Sequence, residues 1–119
     1  MSAAKKKFVI EEKATFKKRL IWSNKNKRPL NLTGYTALMQ IRSTLDEGSA
    51  LYMTLSQANG RITITPLTGT IDLLITAADT AVLPWSEAYY DLIITAPDTT
   101  VTRLLEGKIT VSQGVSLAV

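Results

Sequence analysis

Apolar and polar residues alternate with a period of two along most of this chain, and the spacing of an amphipathic helix is nearly absent. Segments 62–65 and 71–75 show the alternation clearly, and the Asn59-Gly60 pair before them is a strong turn signal. Successive side chains of a strand point to opposite faces, so this pattern gives each strand one face for a core. The sequence therefore predicts an all-β fold, an antiparallel β-sandwich of about seven to nine short strands.

Three segments depart from simple alternation. Thr76-Ala-Ala-Asp79 has the pattern that begins a helix, and Pro84 would end it after one short helical turn. Segment 89–95 carries apolar residues on both faces, interrupted by Asp91, which predicts a strand in the middle of a sheet. Gly107, inside the last alternating run, predicts a bend or a β-bulge.

The length of the chain suits a single domain. Its 119 residues, 45% of them apolar, can bury a core without disulfides. We predict a basic N-terminal arm over residues 1–13 and one β-sandwich domain over residues 14–119. No apolar run approaches the roughly 18 residues that cross a membrane, and the first residues lack the apolar centre of a signal peptide. We therefore expect no membrane partner and a protein that stays in the cytoplasm where it is made.

Charge is distributed unevenly. Residues 1–28 contain ten bases and two acids, whereas residues 29–119 contain four bases and eight acids. Opposite charges on two parts of one chain favour head-to-tail contact between copies. The bases could instead form a solvated face or touch phosphates without specificity, and specific nucleic-acid recognition is not expected. If the arm only contacts neighbours, removing residues 1–7 should weaken assembly and leave the melting temperature almost unchanged.

The sequence offers little to catalysis. It has neither histidine nor cysteine, which removes the commonest general base near neutral pH and the commonest zinc ligands. Asp72 and Asp91 are the only acids inside predicted strands, and a glycoside hydrolase would need such a pair about 5–10 Å apart across a cleft. A single Asp in a strand is more often a solvent-facing residue. We predict no enzyme activity, no cofactor and no metal site.

Three aromatic side chains bear on binding. Trp22 shares an alternating row with Phe16 and Leu20, which indicates a core position. Tyr89 follows a Leu-Pro corner, as the corner tyrosine of immunoglobulin-like sandwiches does. The role of Trp85 stays open: it could lie at the rim of the core or act as an interface anchor. An exposed ring at this position would suit a carbohydrate-binding module.

Several segments resemble small β-sandwich proteins of tailed bacteriophages. They are ATFKKRLIW at 14–22, PLNLTGYTALMQIR at 29–42, GTIDL at 69–73, YYDL at 89–92 and RLLEGKITV at 103–111. The chain resembles the long-tail-fibre-collar family and, more distantly, the amino-terminal domains of baseplate upper proteins. The resemblance implies an immunoglobulin-like sandwich that forms a symmetric ring in the virion tail or collar, or serves as a fibre-attachment adaptor, with no chemistry of its own.

The partners implied are further copies of the chain and other tail or fibre proteins of a virion made in the host cytoplasm. Two alternatives stay open: a capsid decoration (cement) protein, and a carbohydrate-binding module in host attachment. The predicted protein-binding residues are basic side chains, one tryptophan, and the apolar alternation at the end of the sequence, which could pair with a sheet edge. They are Lys5, Lys6, Lys7, Lys17, Arg19, Trp85, Val115, Leu117 and Val119.

Overall fold

The computed structural model describes residues 4–23, 26, 28–44, 46, 48–81, 83 and 85–112. Within these residues the chain forms nine strands and one helical turn, and a 3₁₀ turn over Pro66–Thr68 joins two of the strands. The elements are β1 (Ala4–Lys5), β2 (Phe8–Glu11), β3 (Phe16–Ile21), β4 (Thr36–Arg42), β5 (Leu51–Ser56), β6 (Ile62–Thr65), β7 (Thr70–Ile75), α1 (Ala77–Thr80), β8 (Glu87–Thr95) and β9 (Val101–Ser112). The predicted all-β architecture is confirmed.

The strands form two sheets. In the larger sheet β5, β4, β8 and β9 are antiparallel neighbours, and β1 and β2 follow one another along the outer edge of β9, parallel to it. The smaller sheet has three antiparallel strands in the order β3-β7-β6. The β9-β8-β4-β5 block and the β3-β7-β6 sheet match the GFCC′ and BED strands of immunoglobulin-like domains. The expected immunoglobulin-like sandwich is confirmed, and β8 is central as predicted.

Alternate positions of both sheets supply a single apolar core. Its buried members are Phe8, Ile10, Phe16, Leu32, Ala37, Met39, Ile41, Leu55, Ile62, Ile71, Leu73, Ile75, Trp85, Ala88, Tyr90, Leu92, Ile94 and Ile109. Most of them are the inward members of the alternating rows, because the side of the pleat on which a residue lies decides its burial. The core therefore follows directly from the sequence pattern.

The helical turn forms where the sequence predicts it. Thr76 caps α1, its hydroxyl oxygen accepting a hydrogen bond from the backbone N–H of Asp79 at 3.4 Å. The buried hydroxyl of Thr80 donates to the backbone oxygen of Ala14 at 2.8 Å. The turn thus ties the connection after β7 to the chain that enters β3. Pro84, expected to end the turn, lies outside the described residues.

The basic N-terminal segment is built into the larger sheet. Strands β1 and β2 pair with β9 over residues 4–11, and Phe8 and Ile10 of β2 are buried in the core. The structure therefore differs from the separate arm expected over residues 1–13. Phe8 and Ile10 alternate with Val9 and Glu11, and the burial of these two apolar side chains holds the backbone in the sheet while the lysines before them remain in water.

Gly107 permits the close approach of this segment to β9. A Cβ atom at position 107 would overlap the backbone oxygen of Lys6 and lie 3.0 Å from its carbonyl carbon. A residue without a side chain is needed where two backbones come this close. A bend or a bulge was expected at Gly107. Gly107 pairs with Tyr90 in regular register, and the register shift between β8 and β9 lies between Leu92 and Ile93.

Tyr90 contacts the N-terminal segment from within the core. Its hydroxyl donates to the backbone oxygen of Lys6 at 2.7 Å, and its ring stacks on Phe8 with centroids 4.9 Å apart. The prediction that Tyr89 is the corner tyrosine is wrong, because the residue whose hydroxyl reaches backbone is Tyr90. Tyr89 points outward, since neighbouring residues of a strand face opposite sides.

Replacing Tyr90 by phenylalanine should cost about 1 kcal/mol of unfolding free energy at pH 8, because the Lys6 oxygen loses its donor. Burial raises the pKa of Tyr90 to about 12 from its ordinary value of 10.0. The folded state therefore binds the phenolic proton more tightly than the unfolded state, and the wild type loses stability between roughly pH 10 and pH 12. Denaturant unfolding at pH 8 and pH 11 should show the advantage of the wild type over Tyr90→Phe shrinking toward zero. Tyr52→Phe is the control, and an advantage that is the same at both pH values would contradict the prediction.

Candidate protein-binding surfaces

A shallow groove crosses the outer face of the larger sheet, and we call it the outer groove. Its volume is about 310 Å³. Its lining includes Leu38, Gln40, Arg42, Tyr89, Asp91, Ile93, Val101 and Arg103. Strands β4, β8 and β9 supply these residues, since the outward positions of neighbouring strands stand side by side.

One end of the outer groove is apolar. Leu38 and Ile93 are cross-strand partners, and Val101, which pairs with Thr95 at the start of β9, lies diagonal to Ile93. The side chain of Val101 is 59% exposed, and those of Leu38 and Ile93 are half-buried. Outward positions of an antiparallel sheet are normally polar, so apolar residues gathered there suit contact with another protein.

The rest of the outer face carries paired charges. Arg103 Nε lies 3.3 Å from Asp91, and its Nη1 lies 3.9 Å from Glu106. Lys108 Nζ lies 2.9 Å from Glu87, and this hydrogen bond raises the pKa of the lysine. Exposed ion pairs add little to stability, but they hold their side chains in defined directions. The outer groove therefore combines an apolar end with ordered charges.

A second groove lies at an open side of the sandwich, between β3 and the first half of β9, and we call it the edge groove. Its volume is about 490 Å³. Its apolar walls include Leu20, Ile21, Trp22, Leu104 and Leu105. Within the described part of the chain, no strand pairs with the outer edge of β3. The edge groove therefore places apolar side chains beside unpaired backbone groups.

Strand β3 has a cationic outer face. Lys17 and Arg19 are exposed there, and Arg19 Nε donates to Asp72 at 2.8 Å. This hydrogen bond raises the pKa of the Arg19 guanidinium. Lys18 belongs to the opposite row, between Phe16 and Leu20, and remains exposed. A charged residue in the inward row of an edge strand limits pairing with other chains at that point.

The predicted basic binding residues do not form one surface. Lys6 and Arg19 both line the edge groove, whereas Lys17 lies beside Arg19 on the outer face of the smaller sheet. Lys5 and Lys7 are exposed along the N-terminal edge. The edge groove thus brings together two of the five bases that the sequence predicts to bind protein.

Trp85 belongs to the rim of the core. It is 8% exposed and stacks on Tyr52, with ring centroids 5.6 Å apart and planes 12° from parallel. A ring with so little accessible surface offers no face to a sugar and little area to a partner, so the expectation of an interface anchor is not met. Trp22 is half-buried, packs against the core, and lines the edge groove. Val115, Leu117 and Val119 lie outside the described residues.

The two carboxylates considered for a hydrolase lie on opposite outer faces of the sandwich. Asp72 is on β7 of the smaller sheet and pairs with Arg19. Asp91 is on β8 of the larger sheet and pairs with Arg103. The two sheets of a sandwich lie about 10 Å apart, and both side chains point away from the other sheet. The structure therefore does not bring the two carboxylates together across a cleft.

Sequence reasoning missed the apolar residues that line the two grooves. The signal for Ile93 was present, because segment 89–95 is apolar on both faces, but we attributed this only to a central strand. Leu38 and Val101 gave no signal of their own, since only strand pairing places Leu38 opposite Ile93 and Val101 diagonal to it. Ile21, 60% exposed at the edge groove, alternates with Lys17 and Arg19 on the outer face of β3, so its row gave no sign of an apolar surface.

Comparison with known proteins gives no family for the chain. No model of a protein family matches it, and no curated protein is significantly similar to it. In the part of the chain that the structure describes, no cluster of acidic side chains could hold a metal ion. The described residues also include no helix long and apolar enough to cross a membrane.

Proposed function

We propose that this chain is a structural protein of a tailed-bacteriophage virion, which forms a symmetric ring in the tail or collar or joins a fibre to it. The observation that carries the proposal is the apolar end of the outer groove, where Leu38, Ile93 and Val101 occupy outward positions of a sheet. A partner protein that covers these side chains removes apolar surface from water, which favours binding.

The segments that resemble phage proteins supply most of the two grooves. Segments 29–42 and 89–92 contribute six of the ten described residues that line the outer groove. Segments 14–22, 69–73 and 103–111 contribute eight of the ten described residues that line the edge groove. The resemblance therefore falls on the surfaces that the geometry favours for binding, which supports a role in assembly.

Two separate grooves suit a ring. Among the residues that the structure describes, the linings of the outer groove and the edge groove have only Arg103 in common. A contact between two different patches of identical chains is heterologous, and it closes into a ring when the rotation between neighbours allows it. One groove can then bind a different patch of the next copy, while the other groove binds a different virion protein.

Native mass spectrometry of the purified chain tests the ring. We expect one assembly whose mass is a whole multiple of the 13.0 kDa chain, because a closed ring has a fixed copy number. Dilution series should show the same species over a wide concentration range. A chain that remains at 13.0 kDa at high micromolar concentration would contradict the ring, and a monomer retained on a glycan array would support the carbohydrate-binding alternative instead.

The position in the virion is tested on particles separated into heads and tails. We expect the wild-type chain in the tail fraction, and Ile93→Lys should be lost from it because a charge enters the apolar end of the outer groove. Thr65→Lys, at an exposed position of the smaller sheet, is the matched control and should be retained. Recovery in heads alone would support a capsid decoration protein and reject the tail position.

A further inference from the structure

The free edge of β3 presents backbone hydrogen-bonding groups to the edge groove. The backbone N–H of Trp22 donates to Gly69 at 2.8 Å, on the side of β7. In an antiparallel pair, alternate residues direct their backbone groups to the same neighbour, so those of Leu20 also point toward β7. The N–H and C=O groups of Arg19 and Ile21 consequently point away from β7, toward the open side. An added strand would find two successive sets of partners there.

The side chains of the edge groove match the needs of an apolar strand. Leu20, Trp22, Leu104 and Leu105 are partly buried against the core, and Ile21 is 60% exposed. A strand laid between the sheets at this point would place alternate side chains over the core, as the existing strands do. An open sheet edge beside apolar side chains, as at Arg19–Trp22, is a template for pairing with another chain.

We propose that residues 113–119 of a second copy add as a strand to the free edge of β3 and fill the edge groove. The segment reads QGVSLAV, so Val115, Leu117 and Val119 share one face and Ser116 and Ala118 share the other. None of its side chains is charged, so none of them places a charge beside the apolar walls. This inference rests on the proposed self-assembly and identifies the contact that produces it.

The reach of residues 113–119 from Ser112 requires these residues to come from another copy if they are to lie along the groove. Strand β9 passes the edge groove at Thr102–Leu105 and continues to Ser112, seven residues further along. At roughly 3.3 Å per residue, Ser112 lies roughly 23 Å beyond the near end of the groove. Residues 113–119 span the same roughly 23 Å when fully extended. They could therefore just reach the near end of the groove in their own copy, with no residues left to lie along it.

The exchange gives each copy one donor and one acceptor. The donor and the acceptor are two different surfaces at opposite ends of β9, so each copy can bind two neighbours in a head-to-tail contact. Main-chain hydrogen bonds supply a register, and the alternating side chains supply specificity, as in other cases of strand addition. This contact closes into a ring when the rotation between neighbours allows it.

Two pairs of variants test the exchange by native mass. Leu117→Lys places a charge on the apolar face of the donor, and its control Ser116→Lys places one on the opposite face. Ile21→Pro removes a backbone donor from the free edge, where it is not used by β7, and its control is Ile21→Ala. We expect both controls to assemble and both test variants to be monomers. A mixture of Leu117→Lys and Ile21→Pro should form a one-to-one complex, because each partner retains the half that the other lacks.

A synthetic peptide of residues 112–119 provides a measurement that does not depend on the proline variant. The peptide should bind the Leu117→Lys protein, whose edge groove is empty. Among double variants that also carry Leu117→Lys, the one with Ile21→Ala should bind the peptide far better than the one with Ile21→Pro. A wild type that assembles while Leu117→Lys assembles equally well would overturn the exchange and leave the proposed ring standing. A wild type that never assembles, and whose Leu117→Lys form does not bind the peptide, would overturn both.

Discussion

Replacing Phe8 by alanine is expected to lower the free energy of unfolding by about 3–5 kcal/mol. The side chain is 1% exposed, and its ring contacts Tyr90 and Phe16 with centroids 4.9 and 5.8 Å away. Truncation would leave a cavity between the two aromatic rings, and the surrounding strands can close it only in part. The size of this effect follows from the position of β2 inside the sandwich.

Denaturant unfolding of Phe8→Ala beside Val9→Ala measures the effect with a matched control. Val9 is the next residue on the same strand but is 48% exposed, so its truncation should cost about 1 kcal/mol or less. Equal effects of the two substitutions would show that β2 does not contribute to the core. In that case the N-terminal segment would behave as the separate arm that its lysines suggest.

Replacing Gly107 by alanine is expected to cost about 2–4 kcal/mol, the second large effect. The added Cβ would overlap the backbone oxygen of Lys6, which already accepts the Tyr90 hydroxyl. One of the two backbones must move, and the pairing of β1 with β9 is the contact most easily lost. The hydrogen bond from the Lys6 N–H to the Glu106 oxygen, 3.0 Å long, would then open.

Amide hydrogen exchange and chemical unfolding together check the Gly107 prediction. We expect the Lys6 amide to lose its protection in Gly107→Ala, in step with the loss of stability. Gly48→Ala is the control, because a Cβ at position 48 meets only the Asp46 carboxylate at an ordinary 3.6 Å. Retained protection of the Lys6 amide with a cost below about 1 kcal/mol would contradict the close approach.

The structure changes the expected effect of removing residues 1–7 on the melting temperature. The deletion takes away β1 and the Lys6 oxygen, so the Tyr90 hydroxyl is left buried without its acceptor. A buried polar group that loses its partner costs about 1–3 kcal/mol. The melting temperature should therefore fall, whereas the sequence alone predicted that it would hardly change.

The period-two pattern by itself determined the fold class and most of the core. Met39 of β4 and Leu73 of β7 are buried on the faces that alternation predicts, and α1 begins at the cap that Thr76 supplies. These features are local, because an extended backbone alternates its side chains and burial selects the apolar side. A short-range pattern is sufficient to decide them.

Only the tertiary structure decided which strands are neighbours, and the binding surfaces depend on that. Pairing of β2 with β9 turned a basic segment into a sheet edge, and placement on different sheets separated Asp72 from Asp91. The wrong choice of Tyr89 instead of Tyr90 as the corner tyrosine shows the same dependence, since neighbouring residues of a strand face opposite sides of the sheet. Strand pairing joins residues that are far apart in sequence. Its choice depends on how the whole set of apolar faces is buried together, which no single segment of the sequence specifies.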